Sequence, residues 1–372
     1  MTAAPPTVPR ASDSRFRAYV QFVLALFYYF LARALARRGA QGIASEQWSP
    51  LVEQAMLVFL LLLGYAGVGF SLNGQAHPVR VQGLPRRSGW LHETGLGLAI
   101  GWGAVVVCAA VMAAAGGIAI RFSFSPRAWG WFVADAAFFA LLALGEEIAF
   151  RGYAFQRFAR SVGPAGAVIG FAALYAFLQA IQPGASKAGA AVAVVFTIVL
   201  STAYLRTRAL WVSWGINFGW KATRALFFGL AVSGVSSHSP VVQGDPMGPF
   251  WLTGGGFGLD GSWLAVFVLL AAIPVVYRFT RDLDFKYNAP EIVGGGIPVD
   301  LDAAARRQHE TATREPAPPP LVQIGPAMQG NPSPDLQPNR QPNRQPNLFP
   351  EPDGAPDVPA RATPPVSGND SE

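Results

Sequence analysis

Gly145-Glu146-Glu147-Ile148-Ala149-Phe150-Arg151-Gly152 places two adjacent carboxylates directly behind the apolar run 131–144, with an arginine four residues after the second. A carboxylate is costly to bury in hydrocarbon, so ionisable residues inside an apolar span mark functional sites. On a helix Glu147 and Arg151 stand at i and i+4, close enough for the guanidinium to hold the carboxylate. Glu146 points about 100° away and is the freer of the two. The plain alternative is a helix that ends at a membrane interface and carries ordinary interfacial charges. The rest of the chain decides between them.

Around this stretch 51% of the residues are hydrophobic and 13% charged, where a soluble domain carries roughly 25% charged residues. Apolar runs fall at 18–35, 51–72, 95–120, 128–150, 164–181, 188–205, 209–231 and 262–277. The pattern predicts an all-α polytopic membrane bundle of about eight transmembrane helices. The first run, interrupted by Gln21, either spans or lies at the interface. Residues 1–17 read as a short polar lead and 18–287 as the bundle. Beyond 288 eighteen of the 31 prolines collect and 337–347 repeats Gln-Pro-Asn-Arg, which predicts a disordered Pro-rich tail over 288–372.

Lysine and arginine alternate in density between the runs. Fourteen lie in the segments that share a side with the N-terminus and five in the opposite segments, 232–261 having none. The positive-inside rule then predicts a multi-pass protein of the cell (inner) membrane with both termini cytoplasmic. Since the arginines flank the spans, the net charge of +6 does not suggest nucleic acid as a partner; membrane lipid is the expected one. The first run lacks a small-residue cleavage site after it, so no cleavable signal peptide is expected. The single cysteine, Cys108, excludes a disulfide framework, and the four histidines, His77, His92, His238 and His309, all fall outside the apolar runs. No metal and no cofactor are expected.

Two later stretches converge on the glutamates. Gly163-Pro164 is a turn signal, and Glu147 and Gln179 are equally far from Gly163 along the chain, about 24 Å from the tip of a helical hairpin. Gln179 is therefore placed to face the glutamates, or else to act as interhelical glue. In the seventh run Asn217, Lys221 and Arg224 share one helix face, at a depth like that of Glu147. A lysine in mid-span needs a partner, and a carboxylate at its own depth is the obvious one, with Arg151 serving the other.

Taken together, Glu-Glu-x-x-x-Arg-Gly, a following span ending in aromatic-x-x-x-polar, and a later polar-x-x-x-polar resemble the CPBP (ABI) family. These are the type II CAAX prenyl endopeptidases and bacteriocin-processing intramembrane proteases, and the resemblance covers about 95–277. It implies a helical membrane core that cleaves peptide bonds, with Glu146, Glu147 and Arg151 as the catalytic set and a peptide or prenylated protein as substrate. A glutamate would activate water while two histidines and an asparagine hold it and the developing oxyanion. Here the motifs depart. Tyr175-Ala176-Phe177-Leu178-Gln179 has glutamine where the family's Phe-x-x-x-His has histidine. Asn217-Phe218-Gly219-Trp220-Lys221 stands where His-x-x-x-Asn is expected. Amides hydrogen-bond water but take up no proton, so Gln179, Asn217 and Lys221 read as degenerate motif positions. Three functions follow from this reading: an endopeptidase with an altered set of groups, a non-catalytic binding or scaffold protein that keeps the cavity, and a proton or ion pathway.

Overall fold

Each of the eight apolar runs contributes a helix in the computed structural model, which describes residues 11–73, 78–182, 184, 186–288, 292–293 and 297–298. In chain order these are α1 (Ala11–Ile43), α2 (Ser49–Asn73), the single turn α3 (Pro78–Val81), α4 (Trp90–Ala114), strand β1 (Ile118–Phe122), and α5 (Pro126–Arg151). There follow α6 (Tyr153–Val162), α7 (Pro164–Ala180), α8 (Lys187–Thr207) and α9 (Leu210–Ala222), which runs on into a π-helical turn, Thr223–Phe227. Strand β2 (Val242–Pro246), the short α10 (Phe250–Thr253), α11 (Trp263–Phe279) and α12 (Arg281–Asn288) complete the order. These elements belong to one compact unit, Met1–Ala304.

The protein is a polytopic helical bundle. Among the described residues five stretches are long and apolar enough to cross a membrane: Ser14–Ile43, Ser49–Leu72, Trp90–Ala114, Pro126–Val162 and Lys187–Thr207. Two further apolar helices, Pro164–Ala180 and Trp263–Phe279, are shorter at 17 residues each. The first run is part of a 33-residue helix that starts at Ala11, inside the segment read as a polar lead. Apart from Asn288 and the paired strands at 292–293 and 297–298, the tail expected over 288–372 lies outside the described residues.

The third run does not stay helical to its end. Gly116 takes a positive φ of 66° and closes α4, and the β-branched residues beyond it enter β1 instead. Strand β1 pairs antiparallel with β2, Ile118 facing Pro246 and Phe122 facing Val242. The stretch 232–261, expected as a plain loop, therefore folds back on the bundle. Serine side chains cap α5, α8 and α11: Ser125, Ser186 and Ser262 accept from the amides of Ala128, Gly189 and Ala265. Each supplies an acceptor to an otherwise unpaired first-turn N–H.

Two packed groups of helices make the core. One buried cluster draws on α4, α8, α9 and α11, with Val105, Leu200, Ile216 and Leu269 almost wholly enclosed. The other draws on α1, α2 and α5–α7, with Leu61, Ile148, Tyr153 and Phe171 at its centre. Helix α9 is pressed onto α4 through two small-residue ladders, Gly97/Gly101 and Gly215/Gly219. A Cβ on Gly219 would come within 2.7 Å of the Leu98 carbonyl, and one on Gly97 within 3.0 Å of the Gly215 Cα. Such spacing lets backbones approach closely where no hydrophobic gain drives helix association. On its other side α9 meets α5, pinned by Trp214 Nε1 donating to the Ala140 carbonyl at 3.0 Å. The two glutamates lie on that α5–α9 seam.

Candidate functional site

Glycine fixes where α5 ends. Gly152 breaks the helix immediately after Arg151 with φ −76° and ψ −132°, and a Cβ there would collide with the Ile148 carbonyl. Glu146, Glu147 and Arg151 thus occupy the last turns of α5, and α6 begins at Tyr153, directly after Gly152.

The two carboxylates face different surroundings. Glu147 is fully enclosed (0% exposed), and its Oε1 accepts from Arg151 Nη1 at 3.3 Å and from Asn217 Nδ2 at 2.9 Å. Glu146 retains 19% side-chain exposure. Lys221 Nζ lies 2.6 Å from both of its oxygens, and Asn217 Nδ2 donates to its Oε2 at 3.0 Å. One amide group therefore bridges both glutamates, and two cations, Arg151 and Lys221, match two anions. The charge balance expected from depth and face alone is present in the geometry.

Gln179 sits on α7 across from the glutamates. It lines, with Glu146 and Lys221, a cavity of about 400 Å³, a size in the usual small-molecule range. The other polar contributors include Tyr175, Arg33, Gln54 and Gln182. Gln179 makes no hydrogen bond to either carboxylate among the described residues, so it borders the site without joining the ionic network.

Arg224 departs from the expected cluster. Although it shares a face with Asn217 and Lys221, the α-helix gives way to a π-turn at Thr223–Phe227. Its guanidinium grips Asp260 through both terminal nitrogens, Nη2 to Oδ2 at 2.7 Å. Asp260 also accepts from the Ser233 amide at 3.1 Å and hydroxyl at 2.7 Å. Sequence reasoning missed Asp260 because a loop carries no periodicity to place it; a buried arginine without an in-span acid was the only hint. Of the histidines, His238 faces Asp135, Nδ1 to Oδ1 at 3.0 Å, and His92 lies in the first turn of α4. Neither lines the cavity that holds Glu146. Among the described residues no three His, Cys, Asp or Glu side chains converge as a metal site would require.

Paired glutamates on a membrane-embedded helix thus stand beside a polar stripe on a later helix and over a partly open cavity. Residues 127–223 match the family model described as type II CAAX prenyl endopeptidase Rce1-like. The match bears out the resemblance over a narrower stretch, α5 through the start of the π-turn, and it contains Glu146, Glu147, Arg151, Gln179, Asn217 and Lys221. No curated protein and no solved structure matches.

Proposed function

We propose that this chain is a non-catalytic relative of the type II CAAX endopeptidases, one that keeps the family's cavity and uses it to bind rather than to cleave. The observation that carries the reading is the Lys221 ammonium, 2.6 Å from both oxygens of Glu146. Glu146 is the glutamate that lines the cavity, hence the one a water would have to reach. With an ammonium on both oxygens and the Asn217 amide on one of them, a water would have to compete with these donors for the carboxylate. A general base needs hydrogen-bond reach to the proton it removes and a pKa near working pH. The imidazoles that would share a proton in the family are amides here, at Gln179 and Asn217. Peptides and lipid-bearing protein termini are the ligand classes that the family likeness suggests.

Full-length protein in lipid nanodiscs, incubated with a farnesylated CAAX peptide and followed by mass spectrometry, tests this. The expected result is peptide bound and intact, with any cleavage at least about 10²-fold below that of an intact relative, the usual contribution of one acid–base group. Gln179→His with Asn217→His and Lys221→Asn is expected to raise cleavage. If the natural chain cleaves and Glu146→Gln abolishes the activity, the protein is an endopeptidase with an altered set of groups and the binding reading fails.

We propose further that both termini are cytoplasmic, on the strength of the lysine and arginine asymmetry. Cys108 is fully buried, so a cysteine introduced at the exposed Ser236 can be labelled against a low background. Labelling from the extracytoplasmic face is expected; labelling from the cytoplasm reverses the assignment.

A further inference from the structure

Among the described residues the buried arginine of α6 pairs with no carboxylate. Arg157, on α6, is 4% exposed, yet its Nε and Nη2 are buried without a hydrogen-bond partner. Its guanidinium carbon lies 4.8 Å from the centre of the Tyr153 ring, and the tyrosine is a hydrogen-bond partner for the side chain, yet Nε and Nη2 stay unmet. Among the described residues no carboxylate forms an ion pair with it. The charged groups near it are cations, Arg160 on the same helix and Arg17 on α1. Both neighbours are exposed, and Arg17 is steadied by donating to the Leu72 carbonyl at 2.7 Å. The α1 and α6 faces are locked together by Phe22 stacking on Phe158, ring centres 4.4 Å apart.

A buried guanidinium with unmet donors amid like charges is costly unless an anion completes it. Among the described residues the other buried arginines have their acids: Arg151 has Glu147 and Arg224 has Asp260. We infer that Arg17, Arg157 and Arg160 form a binding site for the phosphate of an anionic membrane phospholipid. The chemistry suits it. Phosphate oxygens accept several N–H bonds at once, and arginine forks match that geometry. Helix α6 also stands at the end of a membrane-crossing stretch, where headgroups lie. On the orientation proposed above this is the cytoplasmic leaflet, the one that is rich in anionic lipid. The site is separate from the glutamate cavity, and none of the three arginines lines that cavity.

Native mass spectrometry of the full chain, released from neutral detergent with added phosphatidylglycerol or phosphatidylcholine, reads the inference directly. One phosphatidylglycerol is expected to stay bound where phosphatidylcholine does not. Each of Arg157→Met and Arg160→Gln should weaken that retention about fivefold, as expected for about 1 kcal/mol per basic side chain near a bilayer. Arg160 is exposed, so its variant is expected to fold even if Arg157→Met does not, and Arg160→Lys should restore part of the binding. Arg38→Gln, a basic side chain away from the site, should change nothing. Equal retention of both lipids, or loss that ignores Arg160, overturns the inference. An arm with inorganic phosphate separates the sources: occupancy by free phosphate without lipid retention also overturns it.

Discussion

At the scale of single residues, the pairing of Lys221 with Glu146 decides what the cavity can do. The lysine side chain is 6% exposed and the glutamate 19%, so the pair is held in a medium that screens weakly. Removing one member of such a pair strands the other, at a cost of about 3–5 kcal/mol when both are buried; the partial exposure of Glu146 places this pair toward the lower end. Lys221→Met is therefore expected to lower thermal stability in detergent sharply, and Lys221→Met with Glu146→Gln to recover much of the loss. Equal losses in the single and double variants would mean that the ammonium contributes through packing alone. The pairing was legible before any coordinates, since depth along two helices and the shared face of Asn217 and Lys221 were enough to set lysine against glutamate. That one amide, Asn217, would bridge both carboxylates was not legible, because it depends on how closely α9 approaches α5. Arg224 shows the limit of face-counting: three residues beyond Lys221 the π-turn re-aims the side chain, and its partner Asp260 is 36 positions away in a loop.

Among the elements, α9 is the one whose position everything else depends on, because it carries Asn217 and Lys221 to the seam. Its approach to α4 rests on glycines. A Cβ at Gly219 meets the Leu98 carbonyl at 2.7 Å and the Trp102 amide at 3.1 Å, both backbone atoms that cannot swing aside. Gly219→Ala is expected to force the helices apart at a cost of about 1–3 kcal/mol. Gly103, on the same α4, has nothing within 4 Å of its added Cβ; Gly103→Ala should be neutral or gain the few tenths to about 1 kcal/mol that helix propensity provides. Equal tolerance at both positions, measured by thermal unfolding, would show that α4 and α9 are not held by close approach. Both Gly-x-x-x-Gly ladders stand in the sequence, so this contact could have been read there. The end of the third run is a different lesson. Hydropathy continued unbroken through Ile120, and only the Gly116-Gly117 pair signalled that the chain would leave the helix for a strand.

For the whole molecule, the segment between α9 and α11 is more than a connection, since it closes one side of the bundle. Val232 and Ser233 line the cavity, β2 pairs with β1, and Asp260 ties the segment to Arg224 on the π-turn. Burial by itself would raise the Asp260 carboxyl, but the Arg224 guanidinium, helped by the Ser233 hydroxyl and Lys221, outweighs it and holds the carboxyl below the ordinary aspartate range. A carboxyl depressed in the folded state binds its proton more readily once unfolded. The stability it contributes is therefore complete above the unfolded value, about 3.9, and drains away as pH falls through the lower folded value. Asp260→Asn leaves Arg224 without its anion at any neutral pH. Its deficit against the natural chain should thus be flat from pH 7 to about pH 5, then narrow in stronger acid as the natural chain loses the same interaction. Thermal unfolding in detergent at stepped pH reads both limbs. A deficit that keeps its size into the acid limb would mean that the carboxylate's charge is not what holds this segment, and that its shape and the β1–β2 ladder suffice to close the cavity.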